Sequence, residues 1–362
     1  MTVTPQQVLK ALERVTDPDL HRSIVALGFV QDVQIRGGEV SFKIELTTPA
    51  CPVRDLMKEQ AAEAVRSIPG VSHVEITMTS QVRSAILPGG GQGSLVPTVK
   101  HVIPVASGKG GVGKSTVSAN LALALANCGA KVGLMDADVY GPSIPTILGI
   151  TEGPEVAEDR TIIPVEHDGL KVISMGFFMK PDEAVIWRGP MLHKTVQQFL
   201  GGVRWGELDY LLVDLPPGTG DVQLSLCQSI SLTGAVVVST PQDVALNVAQ
   251  KAIVMFRKLN APILGIIENM SAFVCPHCGS REEIFGSGGA RRTAERLGIP
   301  FLGEIPLATR IRATSDQGRP VVLSDPESAE AKAFTAVAEQ LAAQISIRTM
   351  AGELQPQIRV TF

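Results

Sequence analysis

The stretch Gly108-Lys-Gly-Gly-Val-Gly-Lys-Ser-Thr116 decides the fold class of this chain. It satisfies the pattern G-x-x-x-x-G-K-S/T, follows the apolar run 102–106 and precedes the helical run 115–127. A strand, a glycine-rich loop and a helix in this order are typical of a phosphate-binding loop. Glycines let successive backbone N–H groups converge on phosphate oxygens at the positive end of a helix. A glycine-rich turn without a ligand is the alternative, and the flanking strand and helix disfavour it.

The residues of this loop have separate predicted roles. Lys114 reaches the β- and γ-phosphates of ATP, and Ser115 binds Mg²⁺. A second lysine, Lys109, gives the deviant form K-G-G-x-G-K-S/T. It would add positive charge where the transferred phosphoryl group gathers negative charge, unless it is a solvated surface lysine. The other predicted nucleotide-binding members of the loop are Gly108, Gly110, Gly111, Val112, Gly113 and Thr116.

Polar residues at the ends of three further strand patterns complete the predicted site. Asp136 is expected to hold the water shell of the metal, and Asp138 to position the attacking water. Asp214 would bind Mg²⁺ through water, and the N–H of Gly218 would sense the γ-phosphate. Asn269 offers both a donor and an acceptor, which suit the edge of a base, and related ATPases contact adenine at such positions. Aspartates at strand ends also act as helix caps, but the upstream loop favours the functional role.

From Val99 onward, apolar strand patterns alternate with helical patterns. Continuous Val, Ile and Leu runs between helices predict a parallel sheet that is buried on both faces. The predicted fold class is α/β, a P-loop NTPase with a mostly parallel sheet flanked by helices. Near the C-terminus, Asp325 is predicted to cap a helix that begins at Pro326. The predicted strands are 101–106, 131–135, 209–214, 234–239 and 263–267, and the first helix is 114–128.

The N-terminal region predicts an additional, small α+β domain. Helical spacing covers 5–15 and 53–67, and strand patterns cover 39–46 and 71–78. A stretch without apolar periodicity follows, Leu87-Pro-Gly-Gly-Gly-Gln-Gly-Ser-Leu95, and is typical of a linker. The predicted divisions are 1–82 for the small domain, 83–97 for the linker and 98–362 for the ATPase domain.

Composition limits the other classes of function. The chain has 362 residues, a net charge of −4 and 44% hydrophobic residues. The sequence does not show the pattern of a signal peptide, which is a cationic start followed by an apolar run. Its longest apolar runs are shorter than the roughly 18 residues of a membrane span. We therefore expect a soluble, cytoplasmic protein that binds neither membranes nor nucleic acid.

The five cysteines are Cys51, Cys128, Cys227, Cys275 and Cys278. Their odd number, without a signal peptide, argues against a disulfide framework. Cys275-Pro-His-Cys278 brings two thiolates to one metal centre, but such a centre normally needs four protein ligands. A symmetric dimer would supply the full set, two cysteines from each chain. A zinc knuckle with His277 or another histidine, a thioredoxin-like dithiol and a structural loop are the alternatives.

Together these motifs resemble those of the Mrp/ApbC-type iron–sulfur cluster carrier ATPases, in the group that includes MinD, ParA and nitrogenase iron protein. The N-terminal region is similar to the iron–sulfur assembly accessory domain often fused to these ATPases, through Thr47-Thr-Pro-Ala-Cys51-Pro52. The resemblance covers nearly the whole chain. Its specific segments in the remainder are 108–116, 136–143, 187–191, 214–221 and 275–278.

The resemblance implies a function. It implies a homodimer that binds and hydrolyses ATP with Mg²⁺ and holds a [4Fe–4S] cluster on Cys275 and Cys278 of both chains. Apo iron–sulfur proteins would be the recipients, and cluster scaffold proteins further partners. Lys109 would reach the nucleotide of the partner subunit, and Cys51 would be reactive or assist cluster handling. The alternative is a MinD- or ParA-like positioning or partitioning ATPase, whose membrane-bound forms use a basic amphipathic tail that 347–362 does not resemble.

Overall fold

The structure, a computed structural model, describes residues 3–84, 95–179, 189–275 and 277–352. Several features named above lie outside these residues: most of the predicted linker, Trp187 and Arg188, Pro276, and the tail from 353 onward. Within the described ranges, no helix is both long and apolar enough to span a membrane.

The N-terminal region has two helices packed on a small sheet. Its elements are α1 (Pro5–Leu12), β1 (Thr16–Asp17), β2 (Arg22–Ser23), β3 (Val30–Arg36), β4 (Glu39–Leu46), α2 (Arg54–Arg66) and β5 (His73–Ser80). Strand β4 lies at the centre of the small sheet, antiparallel to β3 and parallel to β5. Val40, Phe42, Ile44 and Leu46 of β4 are buried, as their alternation predicts. Strand β3 was not predicted, because four of its seven residues are polar; in the structure none of its residues is fully buried.

The remainder of the chain alternates strands and helices, and the five predicted strands are present. The main difference is in the last of the five, which runs from Ile263 to Val274 and not to 267. The strands are β6 (Val99–Ser107), β7 (Val132–Asp136), β8 (Glu155–Val156), β9 (Ile162–Ile163), β10 (Val165–His167), β11 (Leu170–Ser174), β12 (Leu208–Asp214), β13 (Ala235–Ser239), β14 (Ile263–Val274), β15 (Arg281–Glu282) and β16 (Phe301–Leu307). The helices are α3 (Lys114–Asn127), α4 (Ile144–Leu148), α5 (Gly189–Gly201), α6 (Asp221–Ser229), α7 (Asp243–Lys258), α8 (Gly289–Leu297), α9 (Thr309–Asp316), α10 (Val321–Ser324) and α11 (Ala329–Met350).

Most strands after residue 98 form one sheet, in the order β10-β11-β7-β12-β6-β13-β14-β15, and β16 also pairs with β14. Neighbouring strands are parallel except for β10 with β11 and β14 with β15. The predicted mostly parallel sheet is therefore confirmed. Asp214, the last residue of β12, lies opposite Asp136 of β7 and Val105 of β6. The two aspartates thus meet at the sheet edge where the glycine-rich loop begins.

Helices cover both faces of this sheet, because successive residues of its strands point to opposite sides. Ile103 and Val105 of β6 belong to a core that includes α3 and α11. Val102 and Ala106 of the same strand belong to a second core that includes α7 and α8. The strand that carries the loop is therefore held from both sides.

The last long helix begins later than predicted. Helix α11 begins at Ala329, and the hydroxyl of Ser328 accepts a hydrogen bond from the N–H of Ala331 at 3.2 Å. Asp325 instead follows the end of α10, and its carboxylate accepts a hydrogen bond from Arg310 at 2.6 Å. The prediction that Asp325 caps this helix was wrong, because the fold engages its carboxylate with a guanidinium and places Ser328 at the cap.

The N-terminal region packs on the end of the large sheet that is remote from the loop. The hydroxyls of Thr48 and Tyr210 share a buried hydrogen bond of 3.1 Å. Ala50 and Val82 pack into the core beside α3, and Met350 at the end of α11 packs on the core of the N-terminal region. Tyr210 lies four residues before the end of β12, which is about 13 Å along the strand.

Candidate functional site

The backbone of the glycine-rich loop depends on residues without a side chain. Gly111 and Gly113 have φ values of +80° and +79°, in the left-handed region that favours glycine. Gly108 lies directly against the backbone of α7, where a Cβ would collide with Val248 and Ala249. Lys114 is the first residue of α3. The loop therefore leads straight into a helix N-terminus, as a phosphate site requires.

Asp214 is the centre of a buried polar cluster under the loop. Its Oδ2 accepts hydrogen bonds from Nζ of Lys114 at 2.7 Å and from Oγ of Ser115 at 2.6 Å. Its Oδ1 accepts one from Oγ of Ser118 at 2.6 Å. Asp214 is 0% exposed and Lys114 is 6% exposed, so little water weakens their attraction. The adjacent hydroxyl and carboxylate are oxygen groups of the kind that Mg²⁺ prefers, so this donor set fits the predicted metal.

Asp136 lies beside Asp214 and is also completely buried. Its Oδ1 accepts the N–H of Asp138 at 3.1 Å, and its Oδ2 accepts the N–H of Ile144 at 3.2 Å and the hydroxyl of Ser174 at 2.9 Å. Burial, and next the charge of Asp214, raise the pKa of Asp136, while these hydrogen bonds act in the opposite direction. The structure thus brings the two predicted acidic residues together.

Asp138 and Lys109 lie at the same edge but are bound differently. Oδ1 of Asp138 accepts the backbone N–H groups of Tyr140 and Gly141, each at 3.2 Å, and so holds the turn after β7. Lys109 is half-buried, and its ammonium forms no ion pair within the described part of the chain. The roles predicted for both residues stay predictions.

The segment after β12 is attached to the loop. The N–H of Gly218 donates to the carbonyl of Ser107 at 2.9 Å, so sensing a phosphate would require this hydrogen bond to be exchanged. The completely buried side chain of Gln223 donates to the carbonyls of Pro216 at 2.8 Å and Gly218 at 3.2 Å. Gln223 therefore fixes the turn that carries Gly218.

Strand β14 brings Asn269 under the loop. Its Nδ2 donates to the carbonyl of Val112 at 2.8 Å, and a Cβ on Gly113 would collide with the same nitrogen. The predicted contact with adenine stays a prediction. The preceding residue, Glu268, is completely buried.

The two paired cysteines lie on an exposed turn that follows β14. The N–H of Gly279 donates to the carbonyl of Cys275 at 2.9 Å and closes this turn. Cys278 is exposed, and its Sγ shares a 3.1 Å hydrogen bond with the hydroxyl of Ser280. Hydrogen bonds from Ser280, and a smaller one from the thiol of Cys275, lower the pKa of Cys278. His277 is exposed in the same turn, and among the described residues no three His, Cys, Asp or Glu side chains form a group that could hold a metal ion.

The other cysteines are half-buried and lie elsewhere. Burial raises the pKa of Cys51 to about 11 and that of Cys227 to about 12, and it also raises the pKa of Cys128. Cys128 and Cys227 pack on the two cores of the large sheet, one on each.

Cys51 does not meet Cys275 within one chain. Cys51 packs on the core of the N-terminal region, together with Met350 at the end of α11. Arg348, near this end of α11, donates to the carbonyl of Ile263, where β14 begins. Cys275 follows the opposite end of β14, about 36 Å away along its 12 residues.

Four residues of this region had no role assigned from the sequence. Ser118 lies one helical turn after Lys114, a spacing that brings side chains together on α3 and was a usable signal. Ser174 ends an apolar strand, in the same way as the predicted aspartates do. Glu268 directly follows the predicted strand 263–267 and so had the same strand-end signal as Ser174. Gln223 had no such signal, because its partners come from a turn that only the tertiary structure brings close.

The loop, the buried Lys114–Asp214 pair and the parallel sheet define the class of P-loop nucleotide-binding proteins. Comparison with known sequences narrows this class. The pattern of the NUBPL iron-transfer P-loop NTPase family matches residues 98–342, and that of the iron–sulfur cluster assembly protein family matches residues 5–78. The chain belongs to the NUBPL iron-transfer P-loop NTPase family and carries an N-terminal region of the iron–sulfur cluster assembly family.

Individual relatives support the assignment of the chain to this family. The chain is 51% identical over 354 residues to a protein of Deinococcus radiodurans named iron–sulfur cluster carrier protein, covering 98% of this chain and 99% of the relative. A nucleotide-binding protein of Archaeoglobus fulgidus, solved in complex with ADP, is 43% identical with a TM-score of 0.56, covering 64% of this chain and 90% of that one. The cell division ATPase MinD of Pyrococcus furiosus is 26% identical with a TM-score of 0.51, covering 66% and 97%, and is a relative in fold.

Proposed function

We propose that this chain is an ATP-hydrolysing carrier that binds a [4Fe–4S] cluster between two copies of itself and transfers it to apo iron–sulfur proteins. One observation carries the proposal: β14 leads from the loop contact at Asn269 directly to the thiol pair of Cys275 and Cys278. A nucleotide site and a thiol site are thereby built on one element. The name of the Deinococcus radiodurans relative supports the same assignment.

ATP hydrolysis would use the buried cluster around Asp214. Lys114 would place its charge on the β- and γ-phosphates, after exchanging part of its interaction with Asp214. Ser115 and Asp214 would hold Mg²⁺, with Asp136 on its water shell; the bound metal would neutralise phosphate charge. Asp138 would orient the attacking water.

Two copies would complete the thiol site. A four-iron cluster is normally held by four thiolates, and one turn contributes Cys275 and Cys278. Near these cysteines, Val274, Ile284 and Phe285 expose apolar side chains, which favours burial of this surface against another protein surface. We propose that Lys109 acts across the same interface on the nucleotide of the second copy, as an arginine finger does.

The remaining parts of the proposal concern organisation. We propose domain limits of 1–82 and 98–362 with a linker at 83–97, in agreement with the matched ranges 5–78 and 98–342. We also propose a cytoplasmic location, with cluster scaffold proteins as the donors. The positioning function of MinD is not carried over, because that likeness concerns the fold. Co-sedimentation with anionic liposomes in the presence of ATP would reveal such a function.

Anaerobic reconstitution with iron and sulfide tests the thiol site. We expect the wild-type protein to bind one cluster for every two chains, and the double variant Cys275→Ala, Cys278→Ala to bind none. Cluster loading is measured by visible absorption, iron and sulfide content, and mass in solution. Cys227→Ala is the matched control, because that thiol is half-buried and has a raised pKa. Full loading of the double variant, or a loaded monomer, would contradict the proposal.

Phosphate release tests the nucleotide site. Lys114→Ala should lower ATP turnover by at least about 10²-fold, because the developing phosphoryl charge loses its nearest cation. Lys251→Ala, which changes an exposed lysine of α7, is the matched control and should keep wild-type turnover. Retained hydrolysis in Lys114→Ala would mean that ATP is hydrolysed elsewhere.

A further inference from the structure

Strand β14 connects the loop to the thiol pair through very few residues. The side chain of Asn269 is buried, and its Nδ2 donates to the carbonyl of Val112 at 2.8 Å. The same nitrogen lies so close to Gly113 that no Cβ would fit there. Cys275 comes six residues later, directly after the last residue of β14. A change in the loop backbone at Val112 or Gly113 therefore acts first on Asn269.

Glu268 attaches the other end of the thiol-bearing segment to the same point. Its carboxylate accepts the N–H of Gly288 at 2.8 Å and the N–H of Ala290 at 2.7 Å. These groups belong to the start of α8, where the chain returns from the segment 270–287. A carboxylate is well placed at a helix N-terminus, because it complements the free N–H groups and the helix dipole. Both ends of the segment that carries the two thiols are thus fixed at Glu268 and Asn269.

The start of α8 is also connected to the other side of the loop, through the segment that begins α7. A Cβ on Gly289 would collide with the carbonyl of Pro241, just before α7. Helix α7 in turn touches Gly108 at its backbone. The base of the thiol-bearing segment is therefore packed between two elements that both contact the loop.

The backbone of β14 is irregular directly after Asn269. Met270 has a φ of +59°, a left-handed conformation that is uncommon for a residue with a side chain. The pairing of β14 with β16 shifts register between Asn269 and Phe273, and the hydroxyl of Ser271 donates to the carbonyl of Ile305 at 3.2 Å. The regular pairing is interrupted here and resumes at Phe273, which pairs with β15 and β16. The direction in which the strand continues is therefore set at Glu268 and Asn269 and by the few hydrogen bonds that follow.

We propose that Glu268 and Asn269 form a relay that ties the position of Cys275 and Cys278 to nucleotide at the loop, with Glu268 as a positioning residue. Nucleotide changes the loop backbone that Asn269 contacts. Because Glu268 joins β14 to α8, both ends of the thiol-bearing segment respond together. This inference rests on the proposed function and specifies how ATP would regulate the thiol site.

Alkylation of Cys278, the exposed thiol, tests the relay without a cluster. The rate is measured anaerobically at one pH with iodoacetamide and peptide mass spectrometry, with no nucleotide and with saturating ADP or a non-hydrolysable ATP analogue. We expect nucleotide to change the wild-type rate by about fivefold or more, the usual size of coupling between sites. Glu268→Gln keeps the shape but loses one acceptor, so the change should shrink to less than about twofold, on the same scale.

The matched control is Glu295→Gln, which makes the same chemical change at an exposed position of α8 and should keep the full nucleotide effect. Asn269→Ala, measured at saturating nucleotide, is a second variant if Glu268→Gln does not fold by thermal melting. An unchanged nucleotide effect in a folded relay variant, or no effect in the wild type, would overturn the relay.

Calorimetric nucleotide binding and cluster reconstitution of the wild type are measured separately. If only the relay is wrong, nucleotide binding and cluster binding of the wild type are both intact. If the proposed function is wrong, nucleotide binding or cluster binding is absent.

Discussion

At the scale of single residues, the carboxylate of Asp214 organises the predicted nucleotide site. It is completely buried and accepts hydrogen bonds from one ammonium and two hydroxyl groups. Burial makes each of these bonds important, because a charged group without partners inside a protein is strongly destabilising. The residues that are proposed to bind phosphate and metal therefore also hold the folded loop in place.

Ser118→Ala should destabilise the protein by about 1–3 kcal/mol, the usual effect of leaving a buried acceptor without its partner. The affected atom is Oδ1 of Asp214, which accepts the Ser118 hydroxyl at 2.6 Å. Urea denaturation followed by circular dichroism measures the change. Ser229→Ala is the control, because that half-buried hydroxyl only donates to the carbonyl of Ser225 within α6. Its effect should stay within about 0.5 kcal/mol, and equal effects of the two changes would contradict this account.

At the scale of elements, the loop between β6 and α3 is shaped by contact with α7 as well as by its own glycines. Gly111 and Gly113 supply left-handed backbone. Gly108 supplies close approach, since its Cα lies against the backbone of Val248 and Ala249. The consensus motif alone does not separate these two reasons for glycine.

Gly108→Ala should lower stability by about 1–3 kcal/mol and weaken nucleotide binding, because the added methyl group forces the loop away from α7. Thermal melting and calorimetric titration with ADP measure the two effects. Gly110→Ala is the matched control for stability, because a Cβ there would meet only Pro217 at 3.9 Å. Similar melting temperatures for the two variants would show that contact with α7 does not matter.

At the scale of the whole molecule, the N-terminal region and the thiol turn lie at opposite ends of the large sheet. In this arrangement Cys51 is half-buried, and burial raises its pKa to about 11, so its thiol stays protonated at neutral pH. An unfolded cysteine has a pKa of about 8.5. At pH values between these two pKa values, the unfolded state has lost this proton and the folded state still keeps it. The contribution of Cys51 to stability is therefore lost as pH rises from about 8.5 to about 11.

Tyr210→Phe should raise the rate of alkylation of Cys51 by up to about tenfold. The change removes the hydrogen bond to Thr48, worth about 0.5–1.5 kcal/mol, and so favours release of the N-terminal region. Peptide mass spectrometry after iodoacetamide treatment measures the rate at pH 8. Cys227 in the same sample is the internal control, because it packs on another core. A rate increase at both cysteines would indicate general loosening and not release of one region.

Local patterns were enough to predict most of the elements. The run 108–116 predicted the strand, loop and helix, and the apolar runs predicted the strands at 131–135, 209–214 and 234–239, close to their observed limits. Predictions failed where neighbours outside the local segment decide. Strand β14 extends past 267 because β15 and β16 pair with its later part, and Asp325 is bound by Arg310 and not by a helix end.

The sequence by itself determined the class of protein and the parallel sheet, and it predicted the phosphate-binding residues and the thiol pair, because these depend on short segments whose chemistry is local. Only the tertiary structure decided how the segments contact one another. It placed Ser118 and Lys114 on Asp214, Asn269 on the glycine-rich loop of Gly108 to Thr116, and Cys51 far from Cys275. These contacts join residues distant in the chain, and their geometry depends on the packing of the whole sheet.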